Sequence, residues 1–264
     1  MNSEIVSLSL PHSIVNIEYR WINPEKTEWP LIIFLHEGLG SLSMWRDYPE
    51  SLCNLGKFRG LAYSRAGYGK STEIPSRRKY ETDYMHNEAQ QTLPAVLASM
   101  GVGDESPIFF GHSDGASIAL IYASCFPGKV SAVIALAPHY FVEEKALTGI
   151  TETGELYRVT EMKTKLGRYH DDPDLIFRRW HDAWLSQPFR DWNIGPLISK
   201  IQCPVLAIQG QNDEYASMQQ IDGIKNLAPQ TELLKIENCR HSPHKDQPQI
   251  VTSATMDFLK RKLK

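Results

Sequence analysis

The stretch "FFGHSDGAS", residues 109 to 117, sets a serine between two glycines directly after large apolar side chains. Ile108-Phe109-Phe110 reads as the end of a buried strand, and the small and apolar residues from Ala116 to Phe126 read as a helix. A lone G-x-S-x-G is weak, but between a strand and a helix it specifies a sharp turn. The central residue of such a turn takes a strained backbone conformation, and the residues two before and two after it must be small. Gly111 and Gly115 meet that demand. The hydroxyl of Ser113 is then held out at the carboxyl end of its strand, where open α/β sheets bind ligands.

Other short apolar runs surround this one: residues 30–36, 58–64, 130–138 and 203–210 are nearly continuous in apolar character, the pattern of strands buried on both faces. Residues 13–22 alternate instead and fit an edge hairpin strand. Helical periodicity marks 84–100, 218–227 and 248–263. Strand and helix in alternation imply a mostly parallel central sheet with helices on both faces. One segment breaks the rhythm. Between Pro138 and Cys203 the signals are helical: Asp172 fits an N-cap, Pro173 the first helical position, and Phe177, Trp180 and Trp184 form one apolar stripe. The expected organisation is a core of residues 1–138 and 200–264 with a helical lid, 139–199, inserted in it; the plainer alternative is an extra pair of helices packed on the core.

Composition narrows the function. Hydrophobic residues make up 42% of the 264 and charged residues 22%, as in an ordinary globular protein. A net charge of -3 offers no basic field for nucleic acid, and the runs Arg77-Arg78-Lys79 and Lys260-Arg261-Lys262 read as solvated surface. Cys53, Cys125, Cys203 and Cys239 have no paired spacing, which argues against a zinc cluster or a disulfide framework. The N-terminal stretch carries Glu4 and lacks the apolar core of an export signal, and no stretch is apolar for long enough to span a bilayer. A cytoplasmic location, a small-molecule substrate, and no metal, cofactor, nucleic-acid or membrane partner are the expectations; the oligomeric state is open.

A serine hydroxyl becomes a useful nucleophile when a base takes its proton and a carboxylate holds that base in the right tautomer. Asp213 stands just past a buried strand, with Glu214 as a competing acid. His241 follows the last strand, with His244 as a competing base; the two histidines could also be half a metal site, but no further ligands stand at metal spacing. Among the other histidines, His12, His86 and His170 read as surface or loop residues, and His112 as packed under the turn. Attack on a carbonyl forms an oxyanion that needs two preorganised N–H donors. The amide of Asp114 is one. The loop "LHEGLGS" supplies the other, Gly38 first and Leu39 in reserve.

Taken together, "HEGLGS", "YSRAGYGKS", "GHSDGA", "GQNDEYA" and "CRHSPHKDQP" resemble the oxyanion loop, Arg-x-x-Gly-x-Gly-x-Ser stretch, nucleophile elbow, acid loop and histidine loop of the α/β-hydrolase superfamily, in the lidded group of small-molecule esterases and carbon-carbon bond hydrolases. The resemblance implies the α/β-hydrolase fold from about residue 30 onward and a triad of Ser113, Asp213 and His241. Two departures stand out. Glu37 replaces a common glycine, leaving open which amide completes the oxyanion hole, and Asp114 replaces a common apolar residue, suggesting a polar pocket floor. The function this implies is a serine hydrolase acting through an acyl-enzyme on a small-molecule ester. A carbon-carbon bond hydrolase or cofactor-free lyase with the same triad is the alternative, and a ligand-binding receptor or non-catalytic interaction protein the rival of another class. In the lid, Trp180 and Trp184 would suit an apolar or aromatic acyl group, and His139, Arg178 and His181 could meet a carboxylate.

Overall fold

The computed structural model describes residues 3–10, 13–72 and 79–263; His12, Arg77 and Arg78 lie outside them. In chain order the elements are β1 (Glu4–Leu10), β2 (Ser13–Ile22), β3 (Leu31–Leu35), α1 (Tyr48–Gly56), β4 (Arg59–Tyr63), α2 (Tyr84–Asn87), α3 (Leu93–Ser99), β5 (Ile108–His112), α4 (Asp114–Cys125) and β6 (Ala132–Leu136). There follow α5 (Glu144–Val159), α6 (Met162–Leu166), α7 (Pro173–Leu185), α8 (Gly195–Ile198), β7 (Val205–Gly210), α9 (Gln219–Leu227), β8 (Glu232–Ile236), α10 (Pro243–Asp246) and α11 (Pro248–Lys262). The helix expected over 84–100 is present, with a π-helical turn over Glu88–Thr92 joining α2 to α3.

The eight strands form one sheet in the order β1-β2-β4-β3-β5-β6-β7-β8. β1, β2 and β4 pair antiparallel, and every pair from β4 to β8 is parallel. β1 was not anticipated, although Val6, Leu8 and Leu10 alternate with the more exposed Ile5, Ser7 and Ser9. The central strands are buried throughout because both faces are covered. Alternate side chains serve two cores: Ile33, Phe109, Val133 and Ala135 face α3 and α4, whereas Ile32, Phe34, Phe110 and Ile134 face α1 and α11.

Parallel pairing puts the carboxyl ends of β3, β5, β6 and β7 on one rim, and the candidate site lies there. The helices α5 to α8 all fall between β6 and β7. The Asp172 side chain accepts the Leu175 N–H at 2.9 Å, the N-cap its sequence suggested, and Pro173 follows at the first helical position. Phe177, Trp180 and Trp184 of α7 are buried, so the aromatic stripe faces inward. Among the described residues no helix is long and apolar enough to cross a membrane. The three basic residues ending α11 lie at the surface, Arg261 and Lys262 paired with Glu232.

Candidate active site

Ser113 sits between β5 and α4 with φ 53° and ψ -119°, a conformation that L-residues avoid. Its N–H donates to the Leu136 carbonyl at 2.9 Å, which fixes the turn against β6. The flanking glycines are required by space. A Cβ at Gly111 would lie 2.4 Å from the Gly115 carbonyl oxygen, and one at Gly115 would lie 2.0 Å from the Leu35 carbonyl oxygen. Both contacts are with backbone, so no side chain can move aside to relieve them. The serine itself remains 7% exposed, at the wall of a cavity.

Loops after β7 and β8 bring two further groups to Ser113. His241 Nε2 lies 3.0 Å from Ser113 Oγ, and His241 Nδ1 lies 2.9 and 3.0 Å from the two carboxylate oxygens of Asp213. Asp213 Oδ1 also accepts the N–H groups of Tyr215 and Ala216, at 2.8 and 3.1 Å. Burial alone would raise the Asp213 pKa, but the His241 ring and these donors outweigh it and hold the group below the ordinary carboxylate value. Burial likewise opposes charge on His241, and the Asp213 carboxylate, with Glu214 and Glu37, overcomes it to raise the imidazole pKa above the ordinary value. The competing residues stand elsewhere. Glu214 accepts the His241 backbone N–H at 3.2 Å and pairs with Arg240, while His244 packs among Trp45, Tyr48 and His112. His112 lies under the turn as expected, with Nε2 2.8 Å from the His241 carbonyl oxygen.

The loop after β3 is pinned at one carbonyl. Glu37 O accepts from Arg65 Nη2 at 2.9 Å, from the Gly40 N–H at 3.0 Å and from His36 Nδ1 at 2.8 Å. The His36 tautomer is set because Nε2 accepts the Arg65 N–H at 3.0 Å. In a trans peptide the N–H points opposite to the C=O. Anchoring Glu37 O therefore turns the Gly38 N–H the other way. Gly38 and Leu39 both line the cavity with Ser113, and the Leu39 carbonyl is taken by His170 Nε2 at 3.0 Å. Asp114 opens α4, so its N–H has no acceptor within the helix.

The cavity holds about 190 Å³ and is walled by Met44, His139, Tyr215, Ile150 of α5, Met162 and Leu166 of α6, and Trp180 and Trp184 of α7. Three expectations need correcting. Arg178 is exposed and does not border the cavity. His181 pairs with Asp182 and stacks on Phe177 instead. His139 does border it, but burial and the nearby His241 lower its pKa to about 3, so it offers no cation to a carboxylate. The polar floor expected from Asp114 is also not there: its carboxylate is buried outside the cavity wall, with Oδ2 accepting from Tyr84 Oη at 2.8 Å and facing the Arg65 guanidinium at 3.7 Å. Among the described residues no cluster of metal-ligating side chains occurs, and the four cysteines are unpaired.

Residues 30–153 match the family model for the alpha/beta hydrolase fold. A monoglyceride lipase homolog of Monkeypox virus is 22% identical over 86% of this chain and 87% of its own length, and the human serine hydrolase BPHL is 25% identical over 75% and 69%. A carboxylesterase structure from the thaumarchaeon Nitrososphaera gargenis superposes with a TM-score of 0.77 at 22% identity, covering 98% of this chain and 99% of that one. The chain has the α/β-hydrolase fold. Within this fold the contacts of several residues around the site could not be read from the sequence. His170, read as a loop residue, is 4% exposed; its Nδ1 accepts the Gly69 N–H at 3.0 Å while Nε2 holds Leu39. Glu37 pairs with Lys245 at 3.4 Å and approaches His112, contacts that outweigh the effect of burial and hold its carboxyl well below the usual range. Tyr84 links Asp114 to Trp184, whose indole N–H donates to Tyr84 Oη at 3.0 Å.

Proposed function

We propose that this protein is a serine hydrolase that cleaves small neutral esters through an acyl-enzyme. The observation that carries the reading is the continuous line from Ser113 Oγ through His241 to Asp213, closed at 3.0 Å on one side and 2.9 Å on the other. His241 Nε2 takes the Ser113 proton as Oγ attacks the ester carbonyl, and Asp213 stabilises the imidazolium that results. The oxyanion is held by the N–H groups of Gly38 and Asp114; the pinned Glu37 carbonyl supports Gly38 over Leu39. His241 returns the proton to the leaving alcohol, then deprotonates the water that releases the acid and regenerates Ser113.

Cavity size supports a small substrate. An apolar cavity of about 150 Å³ accepts benzene, so 190 Å³ accommodates a phenyl or short branched acyl group. The neutral His139 and the indoles of Trp180 and Trp184 favour an uncharged one. Residues 139–199 act as the cap, since α5, α6 and α7 supply the wall opposite Ser113. No step needs a metal or cofactor. The test is turnover of p-nitrophenyl esters of increasing acyl length beside a dienoate carbon-carbon substrate, with Ser113→Ala as control. Ester turnover that disappears in the variant supports the proposal, whereas turnover of the dienoate alone overturns it in favour of carbon-carbon cleavage.

A further inference from the structure

The cavity at Ser113 has a neighbour. A groove of about 780 Å³ runs between the Leu42–Trp45 turn, α1 and the α10–α11 segment, and among the described residues the one that borders both spaces is Met44. The Met44 side chain is half-buried and unbranched, a thioether that changes rotamer at little cost. Beside it the partition is completed by the ion pair of Glu37, on the cavity side, with Lys245, on the groove side. Two features set this groove apart from ordinary relief. Arg46, on its wall, has φ 55° and ψ -127°, a strained conformation for a residue with a side chain. His244 is 3% exposed and borders the groove, yet neither ring nitrogen has a hydrogen-bond partner among the described residues.

An ester has two halves, and 190 Å³ holds only one of modest size. We infer that Met44 is a specificity-determining gate between the Ser113 cavity and this groove, and that the groove receives the second, extended half of the ester. This rests on the serine-hydrolase reading above. The chemistry of the groove defines its occupant. Its wall offers two cations, Arg46 and Lys245, and two anions, Asp47 and Asp257, so it selects no net charge. Leu55 and Met256 give it apolar surface, and Ser51 and Thr252 give it hydroxyls. The occupant is a neutral chain of several carbons carrying a hydroxyl or ether oxygen.

The test uses neutral esters with one half held at phenyl size and the other lengthened from about two to about ten carbons, with and without a hydroxyl. The readout is the ratio of kcat/KM for the longest to the shortest ester. Met44→Ala opens the partition, and that ratio is expected to rise by about tenfold or more. Met44→Trp closes it, and the ratio falls. Adding Ser51→Trp to Met44→Ala fills the groove at a distance from the serine and cancels the gain. A ratio that Met44→Ala leaves unchanged, or a gain that survives Ser51→Trp, overturns the inference. Labelling of Ser113 by a short fluorophosphonate separates the two levels. Labelled protein with an unmoved ratio rejects the gate alone, whereas protein that neither labels nor turns over esters rejects the serine-hydrolase reading and the gate with it.

Discussion

Two buried aspartates flank Ser113, and their surroundings could hardly differ more. Asp213 and Asp114 are each 1% exposed. Asp213 accepts from the His241 ring and from two backbone N–H groups, and these contacts overcome burial to keep it ionised. Asp114 accepts from Tyr84, has Arg65 only at 3.7 Å, and leaves Oδ1 without a partner, so burial prevails and its pKa is raised. Equal burial therefore yields opposite electrostatics because the donors differ. Asp213 is built to hold charge beside a base. Asp114 is built to pack, and what the proposed chemistry asks of it is its backbone N–H.

The comparison can be broken by substitution. The reference is Ser113→Ala, which removes the proposed nucleophile that both aspartates flank and is expected to cost on the order of 10⁶ in kcat, measured on the best p-nitrophenyl ester. Asp213→Asn should follow at on the order of 10⁴ in kcat, through loss of the imidazole tautomer and of charge stabilisation. An effect below about tenfold would remove Asp213 from its role. Arg65→Gln takes the cation from Asp114 and a donor from the Glu37 carbonyl; stripping the partner from a buried charge costs about 3–5 kcal/mol, read as a lower urea midpoint. Asp114→Asn keeps the Tyr84 contact and the backbone N–H, so kcat/KM should change by no more than about fivefold, the worth of one hydrogen bond.

The pH profile sharpens the same contrast. In the proposed mechanism His241 works as a base in its neutral form, so activity is lost as pH falls through its pKa. Because the balance of burial against Asp213 raises that pKa, the acid limb of kcat/KM should be centred above about pH 6.5. Asp213→Asn removes the largest influence opposing burial. The limb of its residual activity should then move to lower pH, whereas that of Asp114→Asn should stay near the wild-type position.

Much of this was legible in the sequence because it is local. The sharp turn at Ser113 is encoded within five residues, and buried strands such as β5 and β6 announce themselves as apolar runs. Asp172 and Pro173 likewise mark the start of α7 without help from tertiary structure. What stayed hidden is non-local. Nothing in "SRAGYG" says that Arg65 reaches the Glu37 carbonyl, nor in "RYHDD" that His170 ties Gly69 to Leu39 across the fold. The same distance dependence explains the misreading of Asp114. Its position beside Ser113 suggested a polar floor, but Tyr84 draws its carboxylate out of the cavity.

The most direct measurement is peptide mass spectrometry after brief exposure to a fluorophosphonate. The adduct should fall on Ser113, form quickly in wild type and in Asp114→Asn, form orders of magnitude more slowly in Asp213→Asn, and be missing in Ser113→Ala. An adduct on another residue, or equal labelling of wild type and Ser113→Ala, would contradict a nucleophile driven by His241 and Asp213.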